Sequence, residues 1–221
     1  MKIFNLLKYT VMKKFILFQW MLLGLLIENW MAGNGLIQRV YTMVSVEKSS
    51  DNAGAPKGKK DKVIIFRFED VDTDNYPSRD ANGILISDDI DLLSGEHAIE
   101  LYLTPGTMEI TQTTEGEVDS KGTIQQAVLS HPGSALEIEE FLQNNINQNL
   151  GMIVQYCDSN NPVKLLGTPC APLQIEAEST DNNEGDKSMI TFKSVMRGYR
   201  IAHYEGVIPT LDTDSGSGSG A

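Results

Sequence analysis

A single amphipathic helix among strand-like segments is the feature that most limits how this chain can fold. Residues 130–150 read SHPGSALEIEEFLQNNINQNL. Ser134 and Glu137 have the spacing of a capping box, and Gly151 stands where a helix commonly ends. Amide side chains between 143 and 149 face away from the apolar side or fray the end. The apolar side consists of Ile138, Phe141, Leu142, Ile146 and Leu150. One helix is therefore predicted over about residues 134–149.

Short apolar or alternating segments predict strands on both sides of this helix. Before the helix they are 36–46, 63–68, 84–86, 98–103, 107–114 and 122–129. After it they are 152–157, 163–167, 172–178, 188–195 and 200–206. Polar stretches at 47–62, 69–83 and 181–187 predict exposed loops. The order of elements predicts a mainly β (α+β) fold.

The two ends of the chain differ in composition from its body. Residues 1–31 contain Lys13 and Lys14 followed by the apolar run FILFQWMLLGLLI, which resembles a secretory signal. The same residues also fit a wrongly assigned start, with Met31 as the true first residue; a retained anchor is a third interpretation. Residues 32–211 are predicted to form a single β-rich domain. Residues 212–221 end in SGSGSGA and are interpreted as a flexible linker or tag remnant.

The body of the chain is strongly acidic. The formal net charge is -12, and beyond residue 31 there are 14 basic and 29 acidic side chains. Such a surface repels the phosphates of nucleic acid at close range, so no sequence-specific nucleic-acid binding is expected. An acidic wall would, however, let DNA slide past without adhesion.

No group of residues predicts a catalytic, cofactor-binding or metal site. The run from Asp70 through Asp72 to Asp74 starts like a calcium loop, but Asn75 and Ala81 replace the glycine and glutamate that the loop needs. A solvated acidic loop is the preferred interpretation. A weak cation site shared with Asp88, Asp89 and Asp91 remains an alternative. The three histidines, His97, His131 and His203, lack paired metal spacing.

The two cysteines, Cys157 and Cys170, fall in or near neighbouring predicted strands. Two thiols are too few for a disulfide scaffold. We interpret them as small half-buried core residues. A single bridge between them is the alternative.

Residues 107–204 resemble the tail-tube proteins of long-tailed phages and the tube protein of type VI secretion systems. The segments that carry the resemblance are GEVDSKGTIQQAVLSHPGSALEIEEFLQNN, GMIVQYC and KLLGTPCAPLQIEAESTDNNEGDKSMITFKSV. They are also similar in style to structural proteins of Bacteroidetes phages. The resemblance implies two packed antiparallel sheets, sandwich- or barrel-like, flanked by the helix at about 134–149.

The resemblance also implies a function without catalysis. A tail-tube subunit assembles with itself into rings, the rings stack into a hollow tube that conducts DNA, and other phage tail proteins contact the tube. Its location would be the virion, assembled in the host cytoplasm. Pairing of sheet edges between subunits would solve the problem of exposed edges. The polar stretches at 47–62 and 69–83 are candidates for contacts between stacked rings.

An exported bacterial β-sandwich binding module is the alternative from a different class. In that interpretation residues 1–31 are a true signal peptide, and Cys157 and Cys170 can form a disulfide. A membrane partner is expected only if this N-terminal segment is genuine. An enzyme with a dispersed site is the third hypothesis, and no sequence motif supports it.

Overall fold

The computed structural model describes residues 45–51, 53–158, 162–183 and 185–212. From Val46 onward the described residues form one compact unit. The predicted N-terminal segment 1–31, nearly all of the predicted strand 36–46 and almost the whole of the C-terminal linker lie outside them.

Ten strands and one α-helix make up the regular structure of the described residues, which confirms the predicted mainly β (α+β) fold. Before the helix lie β1 (Lys59–Arg67), β2 (Leu85–Ile86), β3 (Ile99–Tyr102), β4 (Glu109–Glu115) and β5 (Gly122–Pro132). Helix α1 spans Leu136–Asn145. After it lie β6 (Leu150–Tyr156), β7 (Val163–Leu166), β8 (Leu173–Asn182), β9 (Gly185–Ser194) and β10 (Ala202–Tyr204).

All ten strands belong to one hydrogen-bonded sheet with two distinct halves. The six-stranded half has the order β3-β1-β6-β7-β10-β2, and the four-stranded half has the order β8-β9-β5-β4. A single pairing, Leu150 on β6 with Leu173 on β8, joins them. Between the named strands, every pairing is antiparallel except that of β10 with β2, which is parallel.

The two halves and the helix share the main hydrophobic core. Its buried residues come from the six-stranded half (for example Val63 and Met152) and from the four-stranded half (for example Leu129 and Phe192). Ile138 and Leu142 of α1 complete it, with Phe141 packed against its edge. The sheet therefore folds over itself, as a sandwich- or barrel-like architecture with one flanking helix requires.

A second core lies on the other face of the six-stranded half. Ile64, Phe66 and Ile153 point into it, and Phe68, Val71, Ile86 and Ile90 cover them. Because β1 and β6 are buried on both faces, their sequences VIIF and LGMIV are unbroken apolar runs. We call residues 68–92, which supply the covering side chains, the covering segment. It contains two single-turn 3-10 helices, Phe68–Asp70 and Thr73–Asn75. The first begins at the last residue of the predicted strand 63–68, and the second lies inside the predicted loop 69–83.

The helix departs from its prediction at both ends. Ala135 is the N-cap residue and makes no capping bond; the Ser134 hydroxyl instead donates to the Asp186 carboxylate (2.8 Å). Ile146 is 53% exposed, and Leu150 is already part of β6, so neither extends the apolar side. Asn145, predicted to face away, is buried.

Gly151 has a different role from the predicted helix stop. It lies within β6 opposite Phe66 of β1. A Cβ atom at this position would overlap the Phe66 ring. Glycine is therefore needed for the close packing of the two central strands.

Candidate assembly surfaces

The four-stranded half presents one face to the core and one to solvent. Along β5 and β9 the buried side chains alternate with half-buried or exposed ones, as in a sheet that is wet on one side. We call the outward surface the open face. It consists of Glu109, Thr111, Thr113 and Glu115 on β4; Ile124, Gln126, Val128 and Ser130 on β5; Lys187, Met189, Thr191 and Lys193 on β9; and Gln174, Glu176, Glu178 and Thr180 on β8.

The open face is polar and carries more acid than base. Only Ile124, Val128 and Met189 are apolar on it. Four glutamates stand against Lys187 and Lys193, and no ion pair joins them among the described residues. A flat, hydroxyl- and amide-rich face of this kind does not offer an apolar patch for a hydrophobic partner.

Strand β4 is a free edge of the four-stranded half. It pairs with β5 over seven residues, and no other described strand pairs with its second side. Six of its seven side chains are exposed. The strand EITQTTE contains no proline or lysine, the residues with which natural proteins commonly protect an edge.

Strand β8 is the second free edge of the same half. It pairs with β9 along its whole length, from Leu173 to Asn182. On its other side only Leu173 has a strand partner among the described residues. The side of β8 that follows Leu173 is therefore open. Helix α1 approaches it through Glu139, whose carboxylate accepts a hydrogen bond from the Ser179 hydroxyl (3.1 Å).

The two free edges are geometrically compatible. Three antiparallel pairings separate β8 from β4, so the two strands run in opposite directions. If β4 of one copy lay beside β8 of another, the new pairing would also be antiparallel. Such a head-to-tail contact uses two different surfaces and closes into a ring when the rotation between copies divides the circle.

Buried polar groups fix the open face on the core. Gln125, 3% exposed, donates from its amide nitrogen to the Tyr199 carbonyl (2.9 Å) and accepts at its amide oxygen from the Gly167 N–H (2.8 Å). Its own N–H donates to the Ser194 hydroxyl (3.0 Å). These bonds tie β5 to β9 and to the segments that follow β7 and β9. Satisfied buried polar groups of this kind make a sheet rigid.

The acidic run that resembled a calcium loop does not converge on a cation site. No group of three or more His, Cys, Asp or Glu side chains in the described part of the chain is placed to hold a metal ion. The Asp72 carboxylate accepts from the Asn75 side chain (2.7 Å), and that of Asp89 accepts from the Val207 N–H (2.7 Å). Burial, and then the charge of Glu96, raise the pKa of Asp70.

The histidines remain apart, and the cysteines are not core residues. His97 lies in the loop before β3, His131 in β5 and His203 in β10. Cys157 follows β6 and Cys170 lies in the turn before β8; both are exposed and free. The prediction of half-buried core cysteines is therefore wrong, because strand ends and turns face solvent. The free thiols also remove the disulfide that the exported-module interpretation would use.

Arg79 is an unusual site that no sequence pattern indicated. Its guanidinium donates to the Gly83 carbonyl (3.0 Å) and the Arg200 carbonyl (2.9 Å) and stacks 5.1 Å from the Tyr199 ring centre. Burial lowers the pKa of Arg79. These contacts anchor the covering segment to the loop before β10. Backbone carbonyls have no sequence signature, so only the structure reveals this role.

The chain matches no protein-family model, and neither a curated protein nor a solved structure similar to it was found. Within the described residues, no helix combines the length and apolar character needed to span a membrane.

Proposed function

We propose that this chain is a structural protein of a phage virion, a tail-tube subunit whose copies form rings that stack into a DNA-conducting tube. One observation carries the proposal: a four-stranded antiparallel sheet with a free edge at each side, β4 and β8, and a polar outer face. The resemblance of residues 107–204 to tail-tube proteins supports the same function. Catalysis plays no part in it.

The free edges support ring formation. Strand β4, in which six of seven residues are exposed, and the open side of β8 carry unpaired backbone groups, which readily pair with another chain. Joining β4 to β8 of the next copy satisfies both edges with main-chain hydrogen bonds. Repetition around a circle gives a closed antiparallel barrel, and a closed barrel has no edges left.

The open face supports a lumen for DNA. In such a barrel one face of every four-stranded half lines the interior, and the other face is already occupied by the core. The lining would be the open face, with Glu109, Glu115, Glu176 and Glu178 outnumbering its two lysines. Like charge keeps phosphate groups from adhering, so DNA can move through.

Electron microscopy of the purified protein tests the proposal. The full chain and a form that starts at Met31 are imaged by negative stain without denaturant. Rings or tubes are expected from at least one of them. A particle that stays monomeric at high concentration in both forms would contradict a tail-tube function.

Proline substitutions at the β4 edge test how the rings form. Successive N–H groups on a strand point to opposite sides, so one of Thr113→Pro and Thr114→Pro removes only an outward N–H. That variant keeps the wild-type circular dichroism spectrum and loses the rings. Alanine at the same position retains the N–H and serves as the matched control. Rings that persist in the folded proline variant would assign assembly to another surface.

A further inference from the structure

The start of β1 carries a concentrated positive charge in an otherwise acidic chain. Residues 57–62 read KGKKDK, with four lysines against Asp61. We call Lys57, Lys59, Lys60 and Lys62 the lysine end. Among the ion pairs of the described residues, the one at this end joins Lys62 to Glu100 at 2.7 Å. Lys59 donates to the Met108 carbonyl (3.1 Å) and Lys60 to the Gln155 amide oxygen (2.8 Å). Both acceptors are neutral, so these two hydrogen bonds do not cancel the charges of the lysines.

The C-terminal end of β1 carries the opposite charge. Glu69, Asp70, Asp72, Asp74 and Glu96 form what we call the acidic end. The only ion pair described there joins Arg67 to Glu69, with a nitrogen–oxygen distance of 3.5 Å. Asp70 and Glu96 line one shallow cleft of about 270 Å³. Burial, and then the negative charge of Glu96, raise the pKa of Asp70, so like charges repel each other in this cluster.

The two ends are too far apart to neutralise each other within one molecule. Strand β1 has nine residues from Lys59 to Arg67, which corresponds to roughly 27 Å at 3.3 Å per residue. Charges at that distance are screened at physiological salt, where the Debye length is about 8 Å. Two copies displaced along β1 can bring the lysine end of one against the acidic end of the other.

We propose that the lysine end and the acidic end are complementary docking surfaces through which a second copy of this chain stacks end to end. The proposal deepens the tail-tube function and rests on it for the ring. In a ring with cyclic symmetry whose axis runs along β1, all lysine ends face one way and all acidic ends the other. Contact between like ends is repulsive and contact between unlike ends is attractive. Stacked rings therefore all point in one direction, and the stack stays open for further growth.

Charge reversal in the full chain tests the docking surfaces. Lys57→Glu with Lys60→Glu makes both ends acidic, and Glu69→Lys with Asp74→Lys and Glu96→Lys makes both ends basic. All five side chains are exposed, so folding is retained. Each variant alone forms rings without tubes, whereas an equal mixture of the two forms tubes. Lys121→Glu with Arg197→Glu makes the same charge change as the first variant at residues outside both ends and outside the open face, and it leaves tubes unchanged.

The outcomes separate the docking surfaces from the tail-tube function. Tubes of wild-type length from either reversed variant, or no tubes from the mixture, would overturn end-to-end docking while rings continue to support the tail-tube function. If wild-type protein forms no rings, sedimentation of the mixed variants tests the docking surfaces by themselves. A faster-sedimenting species in the mixture at low salt, which dissociates in 0.5 M NaCl where the Debye length is about 4 Å, supports the docking surfaces without the tail-tube function. If the mixture contains no such species, the docking surfaces are overturned as well.

Discussion

The two halves of the sheet differ in how many of their faces are buried. In the six-stranded half, Val63–Phe66 and Leu150–Val154 are buried on both faces. In the four-stranded half, β5 and β9 bury only alternate side chains and leave the open face to solvent. The six-stranded half is thus buried on both faces at its centre, whereas the four-stranded half has one face on the core and one face in solvent. This division lets the open face and its edges vary for assembly at little cost to the core.

The strongest test of this division compares two isoleucines on neighbouring halves. Ile153 of β6 is fully buried, whereas Ile124 of β5 is half-buried on the open face. We expect Ile153→Ala to lower the free energy of unfolding by about 4 kcal/mol. For Ile124→Ala we expect a loss of about 1 kcal/mol, because only part of the side chain leaves an apolar contact.

Denaturant unfolding at a concentration without detectable assembly measures both losses. The low concentration matters because association of folded copies would add to the apparent stability. Equal losses at the two positions would show that the open face is covered in the folded chain, and the comparison of the two halves would break down.

Two tyrosines of the second core, Tyr76 and Tyr204, test how much buried hydroxyl groups contribute to its stability. The Tyr204 hydroxyl accepts from the Ile90 N–H (3.2 Å) and donates to the Val207 carbonyl (2.6 Å). The Tyr76 hydroxyl is buried and has no partner in the described part of the chain. Burial raises the pKa of Tyr76 to about 12. The two hydroxyls thus differ in hydrogen bonding within the same core.

Phenylalanine at each position removes only the hydroxyl. Tyr204→Phe should lower the free energy of unfolding by about 1.5 kcal/mol, because the buried Ile90 N–H and the part-buried Val207 carbonyl lose their partner. Tyr76→Phe should leave stability unchanged or raise it by up to about 1 kcal/mol, because an unsatisfied buried group disappears. Thermal or denaturant unfolding of both variants measures the difference. A larger loss of unfolding free energy in Tyr76→Phe than in Tyr204→Phe would show that the Tyr76 hydroxyl, and not that of Tyr204, makes the stabilising hydrogen bonds.

Much of this fold could be predicted from local patterns. The apolar run VIIF marks β1, and alternation in SMITFKSV marks β9, because burial on two faces or one leaves a direct record in the sequence. The helix was predictable in type and position but not in its ends. Asp186 from β9 binds Ser134, and a tertiary contact of this kind has no local signal.

The candidate surfaces were predictable only in outline. The sequence indicates that edges exist, but which strands are edges depends on pairing order, and that order follows from contacts between distant residues such as Leu150 and Leu173. The role of Gly151 was missed for the same reason, since Phe66 lies far away in sequence. Charge runs are visible in the sequence, whereas their separation to opposite ends of β1 required the strand itself.

The smallest expected effect concerns the acidic end of the six-stranded half. Burial and the charge of Glu96 raise the pKa of Asp70, and Arg67 opposes this only in part. A carboxyl whose pKa is higher in the folded state disfavours folding when ionised. This cost is present at neutral pH and disappears as the pH falls from the folded pKa to the ordinary value of 3.8.

Asp70→Asn should therefore raise the melting temperature at pH 7 by no more than about 2 °C, since solvent screens a partly exposed charge. The difference from wild type should shrink towards zero as the pH falls through this window. Asp74→Asn, at an exposed position of the same cluster, is the control for the change in charge. A higher melting temperature of Asp70→Asn would mean that the clustered acidic side chains do not stabilise the fold. This result would favour docking as their role. A lower melting temperature would instead show that the Asp70 carboxylate stabilises the fold and would weaken the case for a docking surface.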